Sequence, residues 1–255
     1  SLPIGRIFFA ALKLPLQHTR KLFLLGFPVL TMLMLHDYYI PDVVDITVGA
    51  KALFIQACIL LLTCLTMVVA IVGCHRLFLL QDNQKPLFWS GNEFKYLMWW
   101  ILITLYILLI LLPLSLLVVP LAQSIELFDL DLIASALSLI FNIPMYYLIS
   151  RWSLLLPAIA TDKRGIDISW AWRLSKNNAI RLALLIGLFP FTKDLIFVFI
   201  PMNDSLMMSF LDNALWLVIG VIEVGLLSLS YEFLIKNQQQ EPEIHDVGVA
   251  EPEQA

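Results

Sequence analysis

The chain has 255 residues, 60% of them hydrophobic and 14% charged, with a net charge of −4. A soluble domain carries about a quarter charged residues, and a nucleic-acid binder presents a basic face that this balance lacks. The apolar residues fall in long runs rather than alternating with polar ones, which excludes an ordinary water-soluble core and implies helices whose solvent is lipid.

About 20 apolar residues of helix cross a bilayer core. Six segments reach that length, at 22–40, 52–75, 96–120, 132–150, 182–201 and 210–235. They predict an all-α, polytopic transmembrane bundle of about six helices, with residues 1–236 as one membrane-embedded domain. Ahead of the first span, IGRIFFAALKLPLQHTRK (4–21) is basic and amphipathic, the pattern of a helix lying in the headgroup plane. No small-residue cleavage site follows the first apolar run, so the first span is expected to serve as an uncleaved insertion signal. The second span carries all three cysteines, Cys58, Cys64 and Cys74. At 100° per residue they share no face, so they read as small hydrophobes rather than a disulfide or metal set.

A basic-aromatic collar recurs before the third span, PLFWSGNEFKY (86–96), and before the fifth, ISWAWRLSKNNAIR (168–181). Trp89, Trp170 and Trp172 suit the headgroup region. RKLFLLGFP (20–28) is also similar to IRLALLIGLFP (180–190). The chain can thus be read as three units of interfacial helix plus hairpin, recurring about every 80 residues. The alternative is that any helix starting on the basic side of a membrane wears such a collar.

Charge divides the loops. Fourteen of the 16 basic residues fall on one side, Lys51 and Lys193 being the exceptions. The other side holds Asp37, Asp42, Asp45, Glu126, Asp129, Asp131 and Asp204. Basic loops stay in the cytoplasm, which places both termini there. The acidic, proline-containing segment 237–255 cannot bury a core and is expected to be a disordered cytoplasmic tail.

The polar residues held at membrane depth are the candidate site. Glu223 lies in WLVIGVIEVGLLSLSY, mid-helix in the sixth span, where a charged acidic residue costs about 2.5 kcal/mol or more. Asp212, Trp216, Gly220, Leu227 and Ser230 share its face. A parallel stripe in the fourth span, Ser135, Ser138, Asn142, Tyr146 and Ser153, offers Asn142 as a partner at the same depth. Lys193 and Asp194 interrupt the fifth span soon after Pro190. A broken helix with charges can build a transporter site, whereas a snorkelling Lys193 and a locally paired Asp194 would be only a helix end. Glu223, Asn142, Lys193 and Asp194 together form the candidate intramembrane polar site. Glu223 has a bland reading too, a protonated carboxyl bonded to a neighbouring helix. Arg151 and Trp152, at the inner end of the fourth span, join Trp170 and Trp172 as candidate headgroup or interface anchors. Arg151 is expected to meet lipid phosphates or to cap nearby carbonyls, the alternative being a specific contact with an anionic lipid or a partner.

Residues 150–182, SRWSLLLPAIATDKRGIDISWAWRLSKNNAIRL, run from an Arg at a helix end through Pro and Asp to a helix ending in Arg-x-Ser and Asn. This resembles bacterial membrane proteins of the YciC-like group and the membrane domain attached to some glycerophosphodiester phosphodiesterases. GCHRLFLLQDNQKP (73–86) and LSLSYEFL (227–234) are similar to the same group. The resemblance implies a six-helix, multi-pass protein of the bacterial inner membrane, of a group mostly without an assigned activity. No segment outside the membrane is long enough to hold the phosphodiesterase catalytic domain, so that activity does not carry over.

No Gly-rich phosphate loop, HExxH spacing or Ser-centred elbow is present, so neither an enzyme of ordinary type nor a cofactor is expected. The expected partners are the lipid bilayer and a membrane protein along a helix face, with no nucleic acid. Two function classes remain beside a third, an intramembrane enzyme with its few residues scattered over several helices, which nothing in the sequence positively supports. One is a structural or accessory protein of membrane or envelope homeostasis. The other is a small transporter or lipid-handling protein built around Glu223.

Overall fold

A computed structural model describes residues 1–39, 50–80, 89–123, 143–187, 189 and 206–240. The described residues are helical, with no strand among them. In chain order the helices are α1 (Ile4–Gln17), α2 (Thr19–Tyr39), α3 (Ala50–Leu79), α4 (Asn92–Gln123), α5 (143–152), α6 (Leu155–Ala160) and α7 (Ile168–Ser175). A 3-10 turn (Lys176–Asn178), α8 (Ala179–Leu182), a π turn (Ala183–Gly187) and α9 (Leu206–Gln240) complete them.

Among the described residues, four helices are long and apolar enough to cross a bilayer: Thr19–Tyr39, Lys51–Leu79, Asn92–Pro113 and Leu206–Gln238. They answer to four of the six expected spans. The span expected at 132–150 is described only from 143, and that at 182–201 only at 182–187 and 189; the rest of both lies outside the described residues. At a rise of about 1.5 Å per residue, α3, α4 and α9 run roughly 45 to 53 Å, well beyond a hydrocarbon core of about 30 Å. Their ends therefore reach the headgroup layers. α9 runs on to Gln240, and residues 241–255 lie outside the described residues.

These helices turn large apolar side chains outward. Phe23, Phe54 and Leu109 are 66%, 70% and 64% exposed. In water such a surface would be an aggregation patch; against acyl chains it costs nothing, because lipid is as apolar as leucine. The interior is small by comparison. Ile7 and Ala11 of α1 pack with Val72 of α3, Leu155 and Ala158 of α6, and Leu226 of α9. A second cluster joins Leu22, Leu25 and Val29 of α2 to Ala70 and Cys74 of α3.

Without a hydrophobic drive between helices, association depends on close packing at small residues. A Cβ at Gly225 would sit 2.9 Å from Leu14 Cδ1, and one at Gly26 would sit 2.8 Å from Leu217 Cδ2. Glycine at these positions sets how near α1 and α2 come to α9.

α1 buries Ile7, Ala11 and Leu14 and exposes Arg6, Phe9 and Lys13. Its start is tied down from far along the chain. The Leu2 N–H donates to Asn178 Oδ1 at 2.7 Å, and Arg181 Nη1 donates to the Leu2 carbonyl at 3.0 Å. α7 opens on Asp167, whose carboxylate accepts the Trp170 N–H at 2.6 Å as an N-cap.

Candidate functional site

Glu223 sits near the midpoint of the 35-residue α9, half-buried. It lines a half-open cavity of about 160 Å³ bordered by α2, α3 and α9, whose other walls include Leu25, Met67, Cys74, Trp216 and Gly220. The carboxyl of Glu223 is the one ionisable oxygen group in an otherwise apolar lining. Trp216 and Gly220, expected on the Glu223 face, line the same space. Along the outer side of the α2–α9 seam runs a second space of about 260 Å³, lined by Phe23, Phe27, Leu30 and Val218 among others.

Asn142, Lys193 and Asp194, the other members of the expected polar site, lie outside the described residues. The structure therefore describes Glu223 with α2 and α3 about it, a neighbourhood that helical periodicity within one span cannot reveal.

At one end of the bundle Asp37, late in α2, accepts from Ser209 Oγ at 2.7 Å and from Asn213 Nδ2 at 2.6 Å, both early in α9. Gln56 Nε2 of α3 donates to the Tyr39 carbonyl at 3.3 Å. These bonds hold α2 antiparallel to both α3 and α9 and join three helix ends.

The opposite end carries a denser network that sequence reasoning did not single out. Glu93, in the first turn of α4, is 1% exposed and pairs with Arg76 Nη1 at 2.9 Å. Its other oxygen accepts the Ser90 N–H at 2.9 Å, the reach-back half of a capping box. Arg76 also donates to the Ala160 carbonyl at 3.0 Å and to the Ser90 hydroxyl. One ion pair thus fastens α3, α4 and α6. The Ser-x-x-Glu spacing of Ser90 and Glu93 just ahead of an apolar run was the available signal.

His75, fully buried, lies 2.8 Å from Ser228 Oγ through Nδ1 and 3.4 Å from the Tyr96 hydroxyl through Nε2. The Ser228 hydroxyl donates its proton to the Val224 carbonyl at 2.7 Å. It therefore accepts from Nδ1–H, which leaves Nε2 to accept from Tyr96. This neutral tautomer joins α3, α4 and α9 with no net charge.

Arg151 is 3% exposed. It donates to Ser175 Oγ at 2.8 Å, to the Tyr147 hydroxyl at 2.9 Å and to the Trp172 carbonyl at 2.6 Å. Its guanidinium carbon lies 3.3 Å from a Trp172 ring centroid. The carbonyl it meets, that of Trp172, belongs to the third collar. Trp152 is 8% exposed and packs edge-on against Tyr106. Trp172 is 39% exposed, and Trp170 packs against Tyr231. Lys163 Nζ stands 4.9 Å from the Trp170 ring centroid, and partial burial there holds its ammonium below the ordinary lysine value.

Comparison with protein-family models, with curated proteins and with solved structures found no match to this chain. Its functional reading therefore rests on its own sequence and geometry.

Proposed function

We propose that this chain is a multi-pass protein of the bacterial inner membrane, with its basic side and both termini in the cytoplasm, that binds a membrane-dissolved amphiphile at Glu223 and works by binding rather than by catalysis. The single observation carrying this is the cavity of about 160 Å³ in which Glu223 is the one acidic residue of an otherwise apolar lining. The four lipid-length helices supply the membrane setting. The distribution of basic residues supports the orientation, and the resemblance to the YciC-like group supports the bacterial inner membrane.

The accessory-protein reading has its own support in the Arg76–Glu93 and His75–Ser228 networks, which make one end of the bundle a rigid scaffold. The two readings diverge at Glu223. The test is photolabelling of the full chain in lipid nanodiscs with a diazirine-bearing dodecanol, read by peptide mapping. Binding predicts saturable labelling at Met67 and Trp216, competed by dodecanol and not by dodecane. Glu223→Leu is expected to lower it about tenfold, the equivalent of about 1.4 kcal/mol. Labelling that never saturates and spreads evenly over the outward-facing side chains would leave the scaffold reading standing alone.

A further inference from the structure

We propose that the groove between α5 and the segment formed by α8 and the π turn seats one acyl chain of an anionic phospholipid. Arg173 and Lys176 hold its phosphate at the basic end of the groove, and the buried charge of Arg151 draws it there. The site is separate from Glu223 and stands on different observations. The groove is half-open, measures about 290 Å³, and is lined by Ile143 and Tyr147 on one side and by Ile180, Ala183 and Leu184 on the other. A space of about 150 Å³ already holds a benzene-sized group, so a length of hydrocarbon chain fits this one.

The two walls belong to different parts of the chain. Ile180, Ala183, Leu184 and Gly187 follow at three- and four-residue spacings, one face of a helix. A Cβ at Gly187 would sit 2.8 Å from Tyr146 Cβ, so the walls are in contact there. From Ile180 to Gly187 is about 10 Å at the helical rise. Ile143, Ile180 and Leu184 are 63%, 73% and 51% exposed. A strip of exposed aliphatic side chains suits acyl chains and not water.

The groove turns basic at one end. The Trp172 ring meets the Tyr147 ring edge-on at 6.2 Å. Lys176 lies four residues after Trp172 and four before Ile180, between two residues that the structure fixes at the groove. Arg173 and Lys176 are both exposed. Arg151 lies four residues beyond Tyr147, bonded to its hydroxyl and stacked on Trp172. The acceptors of Arg151 are two hydroxyls and a carbonyl, all neutral. No carboxylate among the described residues pairs with it, so its whole charge adds to the local field. Residues 143–160 and 168–187 together hold Arg151, Arg173, Lys176 and Arg181 and no Asp or Glu. A basic cluster at the end of an apolar groove is complementary to a molecule that joins an anion to hydrocarbon. A free anion would use the cluster alone and a neutral lipid the groove alone. Arg151, at 3% exposed, is a positioning residue that sets Tyr147 and Trp172 and does not itself touch the ligand.

The test uses the full chain in phosphatidylcholine nanodiscs holding a trace of phosphatidylglycerol with a diazirine on one acyl chain. Phosphatidylcholine with the same diazirine chain is the reference probe, and labelled peptides are mapped. Each basic residue beside an anionic headgroup is worth about fivefold in affinity, so the glycerol-headed probe is expected to label residues 143–147 and 180–187 at least about tenfold more than the choline-headed one. Arg173→Gln with Lys176→Gln is expected to bring the two probes within about twofold of each other, and Arg173→Lys with Lys176→Arg to keep the preference. Both pairs sit at exposed positions and are expected to leave the Tm in detergent at the parent's value. Ala183→Phe fills the groove and is expected to suppress labelling there by both probes, with labelling of the outward-facing Phe54 and Leu109 unchanged. Leu184→Trp, on the exposed rim, is the second blocking variant and is expected to act alike. Equal labelling by the two probes in the parent would overturn the anionic headgroup, as would a preference that survives loss of both charges. Labelling that neither blocking variant lowers would overturn the groove as the seat of the chain. Competition by inorganic phosphate as effective as that by unlabelled phosphatidylglycerol would show a soluble anion at the site and overturn the lipid.

Discussion

Replacing Glu93 by Ala removes the anion from a junction that holds three helices. The carboxylate accepts two bonds at 2.9 Å, from Arg76 and from the Ser90 N–H. Its side chain is 1% exposed and that of Arg76 is 19% exposed. Removing one partner of a buried pair costs about 3–5 kcal/mol in soluble proteins, because the other charge is left buried. Side-chain bonds between membrane helices are worth less, about 0.6–1.7 kcal/mol, since the unfolded helices find other partners in the bilayer. Arg76 keeps some exposure and retains the Ala160 carbonyl and the Ser90 hydroxyl as acceptors, so the expected loss lies between the two, at about 2–3 kcal/mol. Reversible unfolding in mixed micelles with increasing SDS measures it. The critical comparison is a double-mutant cycle with Arg76→Met. If the two side chains act on each other, the double variant is less destabilised than the sum of the singles by about 1–2 kcal/mol. Additivity within about 0.5 kcal/mol would refute the junction as described.

Arg151→Lys keeps the charge but loses the planar fork that reaches Ser175, Tyr147 and the Trp172 carbonyl at once and stacks on the indole. A loss of about 1–3 kcal/mol is expected, read as a lower Tm in detergent; a Tm equal to the parent's would mean that charge alone matters there. Gly225→Leu drives a side chain into Leu14 and Ala11. It is expected to cost about 1–3 kcal/mol through overpacking and to loosen α1, which limited proteolysis between α1 and α2 would detect as faster cleavage.

Much of this protein was legible in its residues one window at a time. The free energy of placing a helix in lipid is close to a sum over about 20 neighbouring residues, so the spans answering to α2, α3, α4 and α9 stand out without knowledge of what packs against what. Amphipathicity is also local, and the helices at 4–17 and 168–175 fall within collars visible as patterns. Glu223 was conspicuous for the same reason, as a carboxyl inside an apolar window. What surrounds it was not legible. That Gly26 faces Leu217 beside the space that Glu223 lines depends on the meeting of residues 191 positions apart. The third collar shows the same limit. Arg151 was marked by its type and position, yet its acceptors at Ser175 and Trp172 come within reach only once the chain reverses between α6 and α7. Hydrophobic transfer adds along the chain and is written in composition. Packing and hydrogen bonding are short-ranged in space and blind to sequence distance, so only the assembled helices decide which polar groups find partners and where space is left for a ligand.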